Sequence, residues 1–453
     1  MILTYVTFFA LLVIFVAIIK YRLAILKLVL HNHRYVKVTR LFLIIIFTTM
    51  IFWSNSDKSF QNDSEALVLS MVTAGKFNFE IGDKRYGLGR IVTTREITSK
   101  TAAYEVYVNP ELYNGMEERK SLIGLQGWVF YFLTKYGLPK PAAALRLGCC
   151  LLFAVVLSFI CYELYKKYGL LFSGVFYAMT ITSPWIRNFA PNLYWVEFTW
   201  FVPMLLGLIC LNNLNKRLFL YPLFFLAIVI KCACGYEYIT VIMLSSIMFL
   251  FVEWVCTIQK GKEYKRYGNS LLSAIFMIGI MSLLGFAAAI LIHSQIRGAG
   301  DILSGLNDIY KNDVMRRTFG NASDFLEVYA NSLNASVVDV LIIYLTRSNA
   351  GWLALLLLIT TTAIMVHKHK TKRYLLNTEF WLFAVSFLTC ISWFVLGKSH
   401  SYIHTSMNFV LWYMGYIQVG TYIVLKFVLN TDNGKTMLKQ TAAIIRAEIC
   451  RDI

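Results

Sequence analysis

Residues 397–408 read Gly397-Lys398-Ser399-His400-Ser401-Tyr402-Ile403-His404-Thr405-Ser406-Met407-Asn408, between two strongly apolar stretches, 380–396 and 409–428. A connection that only had to turn the chain would not need an ammonium, two imidazoles and several hydroxyls. Ionisable groups at a helix end in lipid are costly unless they meet water, a counter-charge or a ligand, so this cluster is a candidate site. Lys398, His400 and His404 together suit the oxygens of a phosphate or diphosphate. Each has a plainer role as well: a lysine at a helix end commonly snorkels to the interface, and two histidines four residues apart are half of a metal site with no third ligand nearby.

Three further segments carry polar groups beside apolar runs. Asn62-Asp63-Ser64-Glu65 sets two carboxylates after an early run and ahead of Ala66-Leu67-Val68-Leu69-Ser70, which can continue as a helix along the membrane surface. Asp63 and Glu65 are the candidate catalytic groups, although acids at a helix start are also ordinary partners of the helix dipole. Residues 183–197 hold Arg187 among aromatics and amides, with Glu197 entering the membrane either as a second acid or as the partner of an arginine. Lys231 and the string Gly235-Tyr236-Glu237-Tyr238 close the next run. If the four segments converge, Arg187, Lys231, Glu237, Lys398, His400 and His404 line one polar pocket suited to a phosphate or diphosphate. No zinc-type spacing is present, no cofactor is required, and no metal ligand is assigned, while Asp63 with Glu65 could hold a divalent cation through oxygen ligands.

The elements that must position these groups follow from composition. Hydrophobic residues make up 58% of 453, aromatics 15% and charged residues 15%, which places the chain among polytopic membrane proteins. Apolar runs long enough to cross a hydrocarbon core as helices number roughly eleven: 2–19, 38–53, 142–164, 170–183, 193–211, 218–230, 239–255, 271–292, 351–366, 380–396 and 409–429. The expected fold is all-α, with a long first outer loop carrying interfacial helices. Residues 122–136 form an aromatic amphipathic stretch of the kind that lies in the interface. The run 2–19 lacks a charged leading region and a small-residue cleavage site, so it reads as a retained helix. The nine cysteines fall mostly inside apolar runs, where they act as small hydrophobes.

Lysines and arginines fill alternate connections, from Lys20 and Arg22 through Lys166 and Lys167, Lys216 and Arg217, and Lys260 to Arg266, to Lys368 and Arg373. The positive-inside rule puts these in the cytoplasm and the amino terminus outside. It also accounts for the net charge of +18 without a nucleic-acid partner. Residues 1–37 then form an accessory helix and basic cytoplasmic loop, and 38–292 a transmembrane core with an extracytoplasmic loop at 54–141. Residues 293–350 are a second extracytoplasmic loop, 351–429 the last helices, and 430–453 a cytoplasmic tail. Loops as long as the first commonly carry function.

An outer acid just after an early membrane helix, a long first outer loop with interfacial helices and many later spans resemble the GT-C superfamily of membrane glycosyltransferases. Gly235-Tyr236-Glu237-Tyr238 and Gly397-Lys398-Ser399-His400-Ser401-Tyr402-Ile403-His404-Thr405 are similar to strings in bacterial members of that kind. The resemblance covers residues 38–240 and 378–415, and it departs from the family in having a helix ahead of the acid-bearing one. It implies a plasma-membrane enzyme that moves a sugar from a polyprenyl-phosphate donor to a glycan or lipid-linked acceptor, by an inverting single displacement. In that chemistry Asp63 would take the acceptor's proton, with Glu65 as helper, and the cations would stabilise the leaving phosphate. Two alternatives stand beside it. A transporter or flippase for a lipid-linked glycan predicts internal repeats, and none is evident. A polymerase or ligase of O-antigen type predicts outer loops rich in cations, whereas residues 301–339 hold six acids against Lys311, Arg316 and Arg317.

Overall fold

The computed structural model describes residues 33–55, 62–81, 85–370 and 377–431. The expected helix at 2–19, most of the first basic connection and nearly all of the tail lie outside the described residues. Most of the rest is helical. Six helices are long and apolar enough to cross a membrane: Pro141–Tyr168, Leu214–Cys234, Ile239–Ile258, Lys262–Arg297, Ser348–Lys368 and Thr378–Leu396. A pair bent by 88°, Glu327–Asn334 with Val337–Thr346, would make a seventh if it were one span.

Six or seven spans replace the expected eleven. The run at 38–53 becomes the helix His33–Trp53, whereas those at 170–183, 193–211 and 409–429 become helices only over Leu170–Thr182, Phe198–Asn212 and Tyr416–Leu429. At 1.5 Å per residue these last three rise about 20–23 Å, short of a hydrocarbon core of about 30 Å. Their apolar sequence runs on through breaks in the backbone. Pro184 starts a separate six-residue helix, and residues 190–197 are unwound ahead of Phe198. Gly415, at φ +121°, separates a 3-10 turn over Asn408–Tyr413 from the last helix. Hydropathy sees side chains, and these breaks are backbone events.

The long helices have ordinary local causes. Pro141 opens its helix at a position where the missing N–H costs nothing, and Lys166 and Lys167 in the last turn face the negative end of the dipole. The helix ends at Gly169, whose φ of +85° suits glycine. Lys167 pairs with Glu253 at 2.9 Å, tying that end to Ile239–Ile258. Ile239–Ile258 packs against both Phe198–Asn212 and Asn377–Leu396, and Arg217–Cys234 packs along Lys265–Arg297. Trp200, Tyr238, Tyr344, Trp412 and Tyr416 are fully buried among them.

Residues 62–81 and 85–136 fold into a cap over one end of this bundle. Asn62–Phe77 packs on Leu125–Lys135, and two antiparallel strands, β1 (Gly89–Thr93) and β2 (Tyr113–Glu118), pair with Gly89 opposite Glu118. This small sheet corrects the all-α expectation. Its register shifts between Val92 and Thr93, and Gly127 lets a helix sit directly on the Gly87 carbonyl, which any Cβ would strike. Gln126 Nε2 donates to the carbonyls of Tyr194 (2.9 Å) and Cys234 (3.0 Å), and Gly124 N–H to Ala233 O (3.0 Å), which fasten the cap to the bundle.

A close helix crossing offers a direct test of the packing. A Cβ at Gly207 would overlap the Ser246 carbonyl, whereas Gly174 has open space around it. Gly207→Ala is expected to destabilise the purified protein by about 1–3 kcal/mol, read as a drop in thermal midpoint in detergent, with Gly174→Ala near wild type. Equal midpoints for the two variants would contradict this packing.

Candidate functional site

The string 397–408 is not a loose outer loop. Lys398–Ile403 forms a short helix, here the histidine helix, in which Lys398, Ser399, His400 and Ser401 are all buried. Tyr344 Oη donates to the carbonyls of Ser401 (2.7 Å) and His404 (3.2 Å), and the Ser332 and Ser399 hydroxyls lie 2.9 Å apart. From the histidines a file of rings runs inward. The His404 and His400 centroids are 4.4 Å apart, His400 meets Trp393 edge-on at 5.6 Å, and Trp393 meets Tyr238 at 5.7 Å. Tyr238 stacks on Trp195 at 6.1 Å and donates to Asn408 Oδ1 at 2.7 Å. Trp195 touches Tyr194, whose hydroxyl reaches Glu237 Oε1 at 3.5 Å. The indole N–H groups of Trp195 and Trp393 and Nδ1 of His400 are buried with no partner among the described residues.

The charges around this file come from both ends of the sequence. Burial holds the His404 pKa below the usual imidazole value; the carboxylates of Glu237 and Asp63 pull it back up, and Arg317 and Arg316 push it down. Burial likewise takes His400 well below that value, reinforced by His404, Arg317 and Arg316. Arg119, half-buried, has its guanidinium pKa lowered by burial and by the like charges of Arg90, Arg316 and Arg317, while Tyr194 opposes them. Arg316 and Arg317 thus act on both histidines and on Arg119, while Glu237 and Asp63 act on His404. Neutral imidazoles, two carboxylates and a rim of arginines can accept a proton at one end and hold an oxyanion at the other.

The remaining candidates have other partners. Glu65 is buried and accepts from Arg146 Nε (3.0 Å) and Nη2 (2.7 Å), Tyr104 Oη (2.9 Å) and Leu193 N–H (3.2 Å), so it clamps the cap to the bundle. Asp63, two residues earlier, is exposed, and its Oδ1 accepts from Ser64 N–H at 2.9 Å. Arg187 reaches Ser54 Oγ (3.5 Å) and Asn55 Oδ1 (3.4 Å). The buried Lys231 ammonium donates to Gly235 O, closing the end of its own helix. Lys398 donates to Leu333 O (2.6 Å) and Ala335 O (2.7 Å). Glu197 is wholly buried, and neither carboxyl oxygen has a hydrogen-bond partner among the described residues.

Arg119, Arg316, Arg317, Trp195 and Trp393 join the site without having stood out in the sequence. The acids of residues 301–339 masked the arginines, and those acids are largely spent locally. Asp308 binds Arg297, Asp313 is shared by Arg297, Arg316 (3.5 Å) and Arg317 (3.4 Å), and Asp339 caps its own helix through Ser336. Among the described residues no three His, Cys, Asp or Glu side chains gather as a metal site, and the Glu65 clamp leaves Asp63 without its expected partner for a cation. An open groove of about 630 Å³ lies on Ser348–Lys370, lined by Leu358, Ile359, Thr362 and Val366, none of them part of the polar cluster.

The chain is a helical, multi-pass membrane protein, and no protein-family model, curated protein or solved structure matches it.

The depressed histidines set a pH dependence. Below about pH 6.5 the unfolded chain takes up protons that folded His400 and His404 do not, so folding free energy falls as pH drops through that range and is fully present above it. The thermal midpoint should therefore decline between about pH 7.5 and 5.5, and His400→Gln with His404→Gln should flatten the decline. An unchanged slope in the double variant would show that these imidazoles are not held neutral.

Proposed function

We propose that this chain is a membrane glycosyltransferase of GT-C type, moving a sugar from a polyprenyl-phosphate donor to a glycan or lipid-linked acceptor. One observation carries the reading: Glu237 and Asp63, the latter from the cap, and Arg317 and Arg316 all act electrostatically on the half-buried His404, from the far end of the chain. Transfer from a lipid phosphate uses an exposed carboxylate as base and cations at the leaving group, and both kinds of charge act on this one imidazole. Asp63 takes the acceptor hydroxyl proton as that oxygen bonds to the anomeric carbon. The bond from that carbon to the phosphate oxygen breaks, and the departing phosphate keeps the electron pair. Arg316, Arg317 and Arg119 stabilise the charge it gains, and His400 and His404 complete that wall. Glu65 fixes the helix that bears Asp63, and Lys231 and Lys398 serve the backbone.

An extracytoplasmic position for this site agrees with the charge pattern. Arg146, at the cap, and Lys167 lie about 32 Å apart along one helix, and Lys166, Lys167, Lys216 and Lys260 belong to connections rich in basic residues. The positive-inside rule assigns those to the cytoplasm of a plasma-membrane protein. A second reading, a transporter of a lipid-linked glycan, draws support from Glu197, a buried acid with no partner among the described residues, next to an unwound segment in which Val196 has φ +39°.

Membranes containing the chain should transfer radiolabelled sugar from a polyprenyl-phosphate donor. Asp63→Asn should lower the rate about 100-fold or more with insertion intact, and Arg316→Gln with Arg317→Gln should weaken donor use. Wild-type transfer by Asp63→Asn would remove the base. Movement of an intact lipid-linked glycan across vesicles without bond cleavage, lost in Glu197→Gln, would favour the transporter.

A further inference from the structure

The bent pair at 327–346 poses a physical question of depth. Val337–Thr346 buries Val340, Ile343 and Tyr344 against the bundle and turns Val338 (63% exposed) and Ile342 (53%) outward. On the preceding limb Leu326 and Val328 are more exposed still, and on the adjoining span Trp352, Leu356 and Ile359 continue the same apolar exterior. In water this would be a large unpartnered apolar face. A seventh span would carry the end of this helix into hydrocarbon, but both of its ends are polar. Asp339 is exposed in its first turn, and Arg347, Ser348 and Asn349 are exposed directly after it. An arginine at the bilayer centre is strongly disfavoured, and ten residues rise only about 15 Å.

We propose that residues 326–346 are an interfacial elbow rather than a seventh span, and that the occupant of their outward face is the hydrocarbon edge of the surrounding phospholipid leaflet. Leu326, Val328, Val338 and Ile342 lie among the upper acyl chains, while Asp339 and Arg347 stay with the headgroups, the pattern of a helix lying in the interface. The free carbonyls at the bend, Leu333 and Ala335, are those taken by Lys398. With the Ser332–Ser399 and Tyr344–Ser401 contacts this staples the elbow to the histidine helix. The grip on the leaflet thereby sets the height of His400 and His404, and that of Arg316 and Arg317 nearby, at headgroup level. If the transferase reading holds, the donor's phosphate reaches those arginines by moving sideways within the leaflet.

The test uses the full chain in nanodiscs of phosphatidylethanolamine and phosphatidylglycerol, with a nitroxide amino acid incorporated singly at positions 326, 338, 342 and 347. Accessibility to oxygen, which concentrates in lipid, is compared with accessibility to a water-soluble nickel chelate. Positions 326, 338 and 342 should favour oxygen at shallow depth, and position 347 should favour nickel. Nickel access at 326, 338 and 342 would place the elbow in water and overturn the proposal. Protection of 347 from nickel would make the pair a true span and overturn it equally. Chromatographic profiles matching wild type confirm folding for each label. Because the depths do not depend on turnover, failure of the sugar-transfer assay would leave this result standing, and failure here would leave that assay standing.

Discussion

A carboxylate taken out of water must find a cation and hydrogen-bond donors or become neutral, and Glu65 shows what this demand builds. Arg146 grips it with two N–H groups while Tyr104 and the Leu193 backbone take the remaining lone pairs, so four elements meet at one side chain. Asp63 lies two residues earlier on the same helix, so the clamp holds the cap helix against the bundle and fixes where that exposed acid stands.

Lys398 repeats the logic with opposite charge. Its ammonium, whose pKa is lowered by burial, is spent on two carbonyls left open where the chain bends between Asn334 and Val337. A buried peptide group without a partner is costly wherever water is excluded, and a helix ending inside an apolar assembly leaves such groups behind. Lys231 does the same for the end of its own helix. These lysines hold in place the two segments that present Glu237 and the histidine pair.

Strain gathers where the rings meet. Val196 and Tyr238 both have positive φ, at +39° and +64°, the first β-branched and the second bulky, and such conformations persist only where the surroundings overdetermine them. Here the overdetermination is visible in the stacking of Trp195 on Tyr238 and in the hydrogen bond from Tyr238 to Asn408. Glu197 and Glu237 flank the strained residues, so the backbone distortion aims two buried acids rather than arising at random along the chain.

Much of the architecture was legible from the chain alone. Apolar runs marked where helices form, because burial in lipid depends on composition over some twenty residues, and the polar strings at 62–65, 235–238 and 397–408 marked where chemistry could sit. Local pattern could not say how far a helix continues through Gly415 or Ser183-Pro184, since a backbone break leaves hydropathy unchanged, and so eleven expected spans became six or seven. Nor could it divide charged residues into those that hold the fold and those left free. Glu65 and Asp63 look alike in sequence, yet one is clamped and the other exposed. Only the tertiary structure decided between them, because a charge is spent or available according to what lies within about 4 Å of it, and the partners of Glu65 lie 39 to 128 residues away in sequence.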